Sequence, residues 1–177
     1  ILVCLVGSEM CIRDSIELLV VVAIIGILAA VGTVAYTGYT ASAKVNAIKS
    51  NHSAVVKYIA AELQKCNLGQ DNYMGANTCS TRKTEGNVAT AVQSALDGKF
   101  KNPESQAAAV VKVDASAGTD DDGNALPMAV VLGQVSVTDN GSQVNIATCF
   151  KEIGDSGSEA CVFADTTSVM TNTVGIE

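Results

Sequence analysis

Between Glu17 and Lys44 the sequence has no charged residue. So long a gap excludes a solvated surface segment. At ~1.5 Å per residue, an uncharged helix over that stretch reaches roughly 39 Å, enough to cross a bilayer core. Histidine is nearly missing as well: His52 stands alone, with no nearby acid or cysteine pattern to make it a catalytic base or a metal ligand. No nucleophile–base pair and no Gly-rich phosphate loop is visible, and no two cysteines beyond residue 65 have the Cys-x2-4-Cys spacing of zinc sites. No enzymatic activity and no cofactor is therefore expected. Positive charge is scarce after residue 66, where 6 basic residues face 14 acidic ones, a balance of −8. Such a surface does not neutralise phosphates, so direct nucleic-acid binding is not expected.

What is present begins with the run Ile16-Glu17-Leu18-Leu19-Val20-Val21-Val22-Ala23-Ile24-Ile25-Gly26-Ile27-Leu28-Ala29-Ala30. Its one carboxylate, Glu17, sits just inside the apolar end, where an uncompensated charge costs at least ~2.5 kcal/mol on insertion scales. That position calls for a partner. Gly26, Gly32, Thr33, Thr37 and Gly38 are poor helix formers, each Gly costing ~1 kcal/mol relative to Ala. They weaken the helix locally, or let another helix approach closely.

From Ile16 to Ala30 the run resembles the N-terminal segment of type IV pilins and their type II secretion relatives, whose signature is a cleaved Gly, then Phe-Thr-Leu-Ile-Glu-Leu and an apolar helix. The resemblance implies an α+β fold, with a long N-terminal helix and a head built on a small antiparallel sheet. It casts Glu17 as the fifth mature residue, facing the N-terminal amine of a neighbouring subunit. It also implies a pilin subunit that homopolymerises into a surface filament for adhesion, twitching motility or DNA uptake. Its partners would be the inner membrane before assembly, the prepilin peptidase and the pilus assembly machinery. Within the same family the alternatives are a type II secretion pseudopilin and a competence pilus subunit. Aligned on the motif, processing falls between Ile12 and Arg13, but the residues here are Ile12, Arg13, Asp14 and Ser15, so the motif itself is absent. Residues 3–15 look like translated sequencing-adapter read-through and lack the basic run of a secretory signal. Residues 1–15 are accordingly expected to be non-native or leader-derived, with 16–43 forming the membrane and filament-core helix.

From Lys44 the pattern becomes amphipathic: Val45, Ile48, His52, Val55, Val56, Ile59 and Leu63 fall on one face, predicting a helix over 44–66 that covers a sheet. Tyr36 and Tyr39 read as membrane-interface residues. Asn67-Leu68-Gly69 supplies a stop, and the head occupies 67–177. Within it, residues 87–96 read as a short capped helix closed by Gly98, and 107–113 as a strand. Asp120-Asp121-Asp122-Gly123-Asn124 reads as a solvated turn or a calcium loop that departs from EF-hand spacing. Residues 128–138, Asp139-Asn140-Gly141 and 142–148 read as a hairpin. The four head cysteines, Cys66, Cys79, Cys149 and Cys161, allow three connectivities. Their order along the chain and the pilin pattern favour Cys66 with Cys79 and Cys149 with Cys161, the second pair bounding a C-terminal loop.

Overall fold

The computed structural model describes residues 8–104, 111–113, 118–119, 125–126, 132–150 and 169–177. The chain divides into two compact units, Ile1–Ala43 and Lys44–Glu177. Helix α1 (Ser8–Asn67) contributes to both. From Ser15 to Tyr39 it is exposed at every residue, and by length and composition the helix from Ser15 can cross a membrane.

In the second unit α1 buries one stripe. Ile48, His52, Val55, Ile59 and Leu63 are buried at intervals of three and four residues, while Ser53, Lys57, Ala60 and Gln64 between them are exposed. That spacing places the buried set on one helical face. The helix stops where Gly69 adopts a φ of +81°. Its N–H reaches the Cys66 carbonyl at 3.1 Å and the Gln70 N–H reaches Lys65 at 3.0 Å. These two bonds form a Schellman cap, which satisfies carbonyls that helix ends otherwise leave open.

Two short strands, β1 (Asn72–Tyr73) and β2 (Asn77–Thr78), pair antiparallel and lead through a 3₁₀ turn, Cys79–Thr81, to helix α2 (Asn87–Leu96). A four-stranded sheet follows, made of β3 (Val111–Val113), β6 (Val135–Asp139), β7 (Gln143–Cys149) and β8 (Val169–Gly175) in that spatial order. A small antiparallel pair, β4 (Gly118–Thr119) and β5 (Ala125–Leu126), lies between β3 and β6 in sequence. The layout is therefore α+β; β6 and β7 form the expected antiparallel hairpin, and β8 adds antiparallel to β7. The departure is β3, which joins β6 in parallel, Val111 opposite Val135. A parallel neighbour requires a long crossover, and the chain between Val113 and Val135 supplies it.

Register explains the core. Val135, Val137, Val144 and Ile146 share one face of β6 and β7 and join Val55, Ile59 and Leu63 of α1 and Val88, Val92 and Leu96 of α2 in one cluster. The opposite face carries a smaller cluster of Ala147, Cys149 and Val169 with Leu132 at its edge. Both faces of β6 and β7 are thus buried, although their sequences, VSVTD and QVNIATC, place polar residues among the apolar ones.

Candidate functional site: an apolar surface and the junctions of the head

From Ser15 to Tyr39 helix α1 has no covered side among the described residues. Every residue from Ser15 to Tyr39 is exposed, and Leu18, Ile27, Leu28, Val31 and Val34 are each about two-thirds exposed or more, from 65% to 74%. Apolar area removed from water is worth about 25 cal/mol per Å², so a surface of this kind is unfavourable in water and marks a membrane or protein contact. Glu17 lies at its start, exposed. Gly26 and Gly32 are helical, and a Cβ added to either would meet nothing within 4 Å. Neither glycine is therefore required by packing among the described residues. Helix is continuous through Gly26, Gly32 and Val34. The hydroxyls of Thr33, Thr37 and Thr40 donate to the carbonyls of Ala30, Val34 and Thr37, each at 3.0 Å, so their polarity is absorbed by the helix. Tyr36 and Tyr39 are exposed at the end of the stretch. Ile12 and Arg13 belong to the helical backbone, and their side chains lie outside the described ones.

Cys66, on the last turn of α1, is bonded to Cys79, with Cα atoms 5.5 Å apart. The two cysteines are 13 residues apart in sequence, and closing a loop of that length stabilises the fold by about 3 kcal/mol in the chain-entropy account. Cys149 is also disulfide-bonded, while Cys161 lies outside the described residues. The Asp120-to-Asn124 segment lies outside them too. Among the described residues no three His, Cys, Asp or Glu side chains converge as a metal site would require.

His52 is fully buried. Its Nδ1 is 2.9 Å from the Thr148 hydroxyl on β7 and its Nε2 is 2.8 Å from Asn172 Oδ1 on β8. An amide oxygen only accepts, so Nε2 carries the proton, and Thr148 donates to Nδ1. The ring ties α1 to two strands. Burial pushes its pKa below the ordinary 6.5, against an upward pull from Asn172. The unfolded chain then takes up a proton near pH ~6.5 and the folded chain only lower, so this group's stabilisation is complete above ~6.5 and is lost as pH falls through the folded value. We expect the stability difference between the parent and His52→Gln to shrink as pH is lowered from about 7.5 to about 5.5, in urea titrations at each pH. A constant difference would mean that His52 does not titrate differently in the folded state.

Asp139, at the end of β6, serves a helix fifty residues upstream. Its Oδ1 accepts from the Gly86 N–H at 2.8 Å and the Gly141 N–H at 3.3 Å, and its Oδ2 accepts from the Ala89 N–H at 2.8 Å. Gly86 is the N-cap of α2 and supplies no side-chain cap. A carboxylate at a helix N-terminus is favoured by both orphan N–H groups and dipole. Glu62 makes a similar link: it accepts from the Met74 N–H at 2.7 Å and from Lys65 Nζ at 2.5 Å. Burial alone would raise its pKa, but these hydrogen bonds and the Lys65 charge outweigh burial and hold it below the usual carboxylate value. Sequence reasoning missed both links, because the N–H groups that join these carboxylates to other parts of the fold are backbone groups distant in sequence.

Searches against models of protein families, curated proteins and solved structures find no match to this chain.

Proposed function

We propose that this chain is the structural subunit of a type IV pilus, held in the inner membrane by α1 and then polymerised through the same helix into a surface filament. The observation that carries this reading is the apolar helix exposed on every side from residue 15 to residue 39, headed by Glu17 in a run that resembles the pilin motif. A bilayer covers that surface in the unassembled subunit, and copies of the helix cover it in the filament. The head adds a compact unit stabilised by the Cys66–Cys79 disulfide, as suits a domain exposed to an oxidising compartment. Energy for extraction comes from the family's assembly ATPase.

The experiment is expression, with residues 1–15 replaced by a prepilin leader ending in Gly-Phe-Thr-Leu directly before Ile16, in a host with a type IV assembly apparatus, comparing the membrane pool with filaments sheared from the surface. The parent is expected in both fractions. Glu17→Ala is expected to leave the membrane pool intact and to lower sheared filament by roughly tenfold or more, because a charge that burdens a lone membrane helix is retained for a contact between subunits. Undiminished filament from the Ala variant would remove the physical argument for this assembly. Absence of filament from the parent would count against the pilus reading itself.

A further inference from the structure

Helix α2 has an exposed face without charge. Its sequence, Asn-Val-Ala-Thr-Ala-Val-Gln-Ser-Ala-Leu, contains no Asp, Glu, Lys or Arg, although Asn87, Thr90 and Ser94 are exposed. The solvent face of an amphipathic helix ordinarily carries charged or polar residues, and on α2 it is polar only. Here that face is one wall of a cleft of about 410 Å³, whose other wall is formed by Asn77, Thr78 and Thr81. Sites for small ligands span roughly 300–1,000 Å³.

The hydrogen bonds already made in the cleft define what it has left to offer. The Thr90 hydroxyl donates to the Gly86 carbonyl at 2.7 Å, that of Ser94 to Thr90 at 3.0 Å, and that of Thr81 to Thr78 at 2.9 Å. A hydroxyl has one O–H, so these three present only lone pairs to a ligand. Asn77 spends one amide N–H on the Met74 carbonyl at 2.9 Å, and Asn87 one on the Thr81 carbonyl at 3.0 Å. Each keeps a second N–H, and among the described residues neither Oδ1 accepts a hydrogen bond. The cleft is thus neutral, dense in acceptors and supplied with two spare amide N–H groups, with the Tyr73 phenol and the Thr78 hydroxyl as further O–H groups in its lining. An ammonium ligand would need a carboxylate and a phosphate would need Lys or Arg, and none of these lines the cleft. Its complement is an uncharged molecule with many O–H groups, which donate to the side-chain oxygens and accept from the two amides.

We infer that this cleft binds a saccharide. The inference stands apart from the polymerisation reading, since it concerns only the second unit. The test is titration of the full ¹⁵N-labelled chain, in zwitterionic micelles without sugar headgroups, with maltose, lactose and N,N′-diacetylchitobiose. At least one disaccharide is expected to give saturable amide shifts confined to residues around Asn77, Thr81, Asn87 and Thr90, with a Kd on the order of 1 mM. Thr90→Val and Asn87→Ala are each expected to weaken it by about tenfold. Ser94→Ala, which removes a single exposed hydroxyl, serves as a third variant should either disturb the amide spectrum elsewhere. The inference is overturned if none of the three sugars saturates. It is equally overturned if glycerol at the same hydroxyl concentration gives the same shifts, or if the folded variants bind like the parent.

Discussion

Asp139→Ala is expected to lower the free energy of unfolding by about 3 kcal/mol in urea titrations. The substitution removes the acceptor for three backbone N–H groups, those of Gly86, Ala89 and Gly141. Ala89 is buried and Gly86 half-buried, so at least one donor is left facing protein without a partner. A hydrogen bond to a charged group contributes about 1.5–3 kcal/mol, and stranding a buried donor costs a similar amount. Asp139→Asn is expected to recover less than half of the loss. The amide keeps one acceptor oxygen, but its NH₂ then faces N–H groups that also donate. Hydrogen exchange at Val88 to Ala91 should accelerate in the Ala variant, because the cap holds the first turn of α2. Asp97→Ala, at an exposed position, is expected to change stability by less than about 0.5 kcal/mol. A loss for Asp139→Ala no larger than for Asp97→Ala would mean that the carboxylate is not the cap of α2.

Periodicity made the buried stripe of α1 readable, because a helical face recurs every three or four residues whatever it packs against. The hairpin of β6 and β7 was readable for a similar reason. Asn140 accepts through Oδ1 from the Ser142 and Gln143 N–H groups at 3.0 and 2.9 Å, local chemistry that Asp-Asn-Gly announces. His52 could be placed on the stripe, but not under the sheet, since Thr148 and Asn172 lie about a hundred residues away. The same limit hid the cap of α2. Asn87 reads as the polar residue opening a capped helix, yet the cap is Asp139, which sequence assigns to a turn. Strand β8 was missed because Thr171, Asn172 and Thr173 are polar and exposed, leaving little alternation to detect. Gln134, Asn145 and Thr148 are buried in a sheet covered on both faces, and no local pattern marks a polar residue for burial. The apolar helix is the opposite case: its composition alone declares a surface that water does not satisfy, and only its partner is unspoken.

Gly141→Ala is expected to cost about 3 kcal/mol, against roughly 1 kcal/mol for Gly75→Ala, and the difference between them is the informative quantity. Both glycines have positive φ, +78° and +88°, so both substitutions pay for a left-handed backbone that L-residues disfavour by about 1–2 kcal/mol. They differ in their surroundings. A Cβ on Gly75 would meet nothing within 4 Å, whereas one on Gly141 would stand 2.4 Å from the Lys83 carbonyl oxygen and 3.2 Å from its carbon. That neighbour is backbone and cannot swing aside as a side chain would. Relief requires the hairpin turn to move away from residues 83–85, yet the Gly86 N–H and the Gly141 N–H share Asp139 Oδ1. Separating the turn from the entry to α2 therefore strains the cap as well. Non-additivity follows: in Asp139→Ala the cap is already lost, and adding Gly141→Ala is expected to cost less than it does alone. Equal losses for the two glycine variants would show that the close approach of the turn to Lys83 contributes nothing. Strict additivity with Asp139→Ala would show that turn and cap are independent.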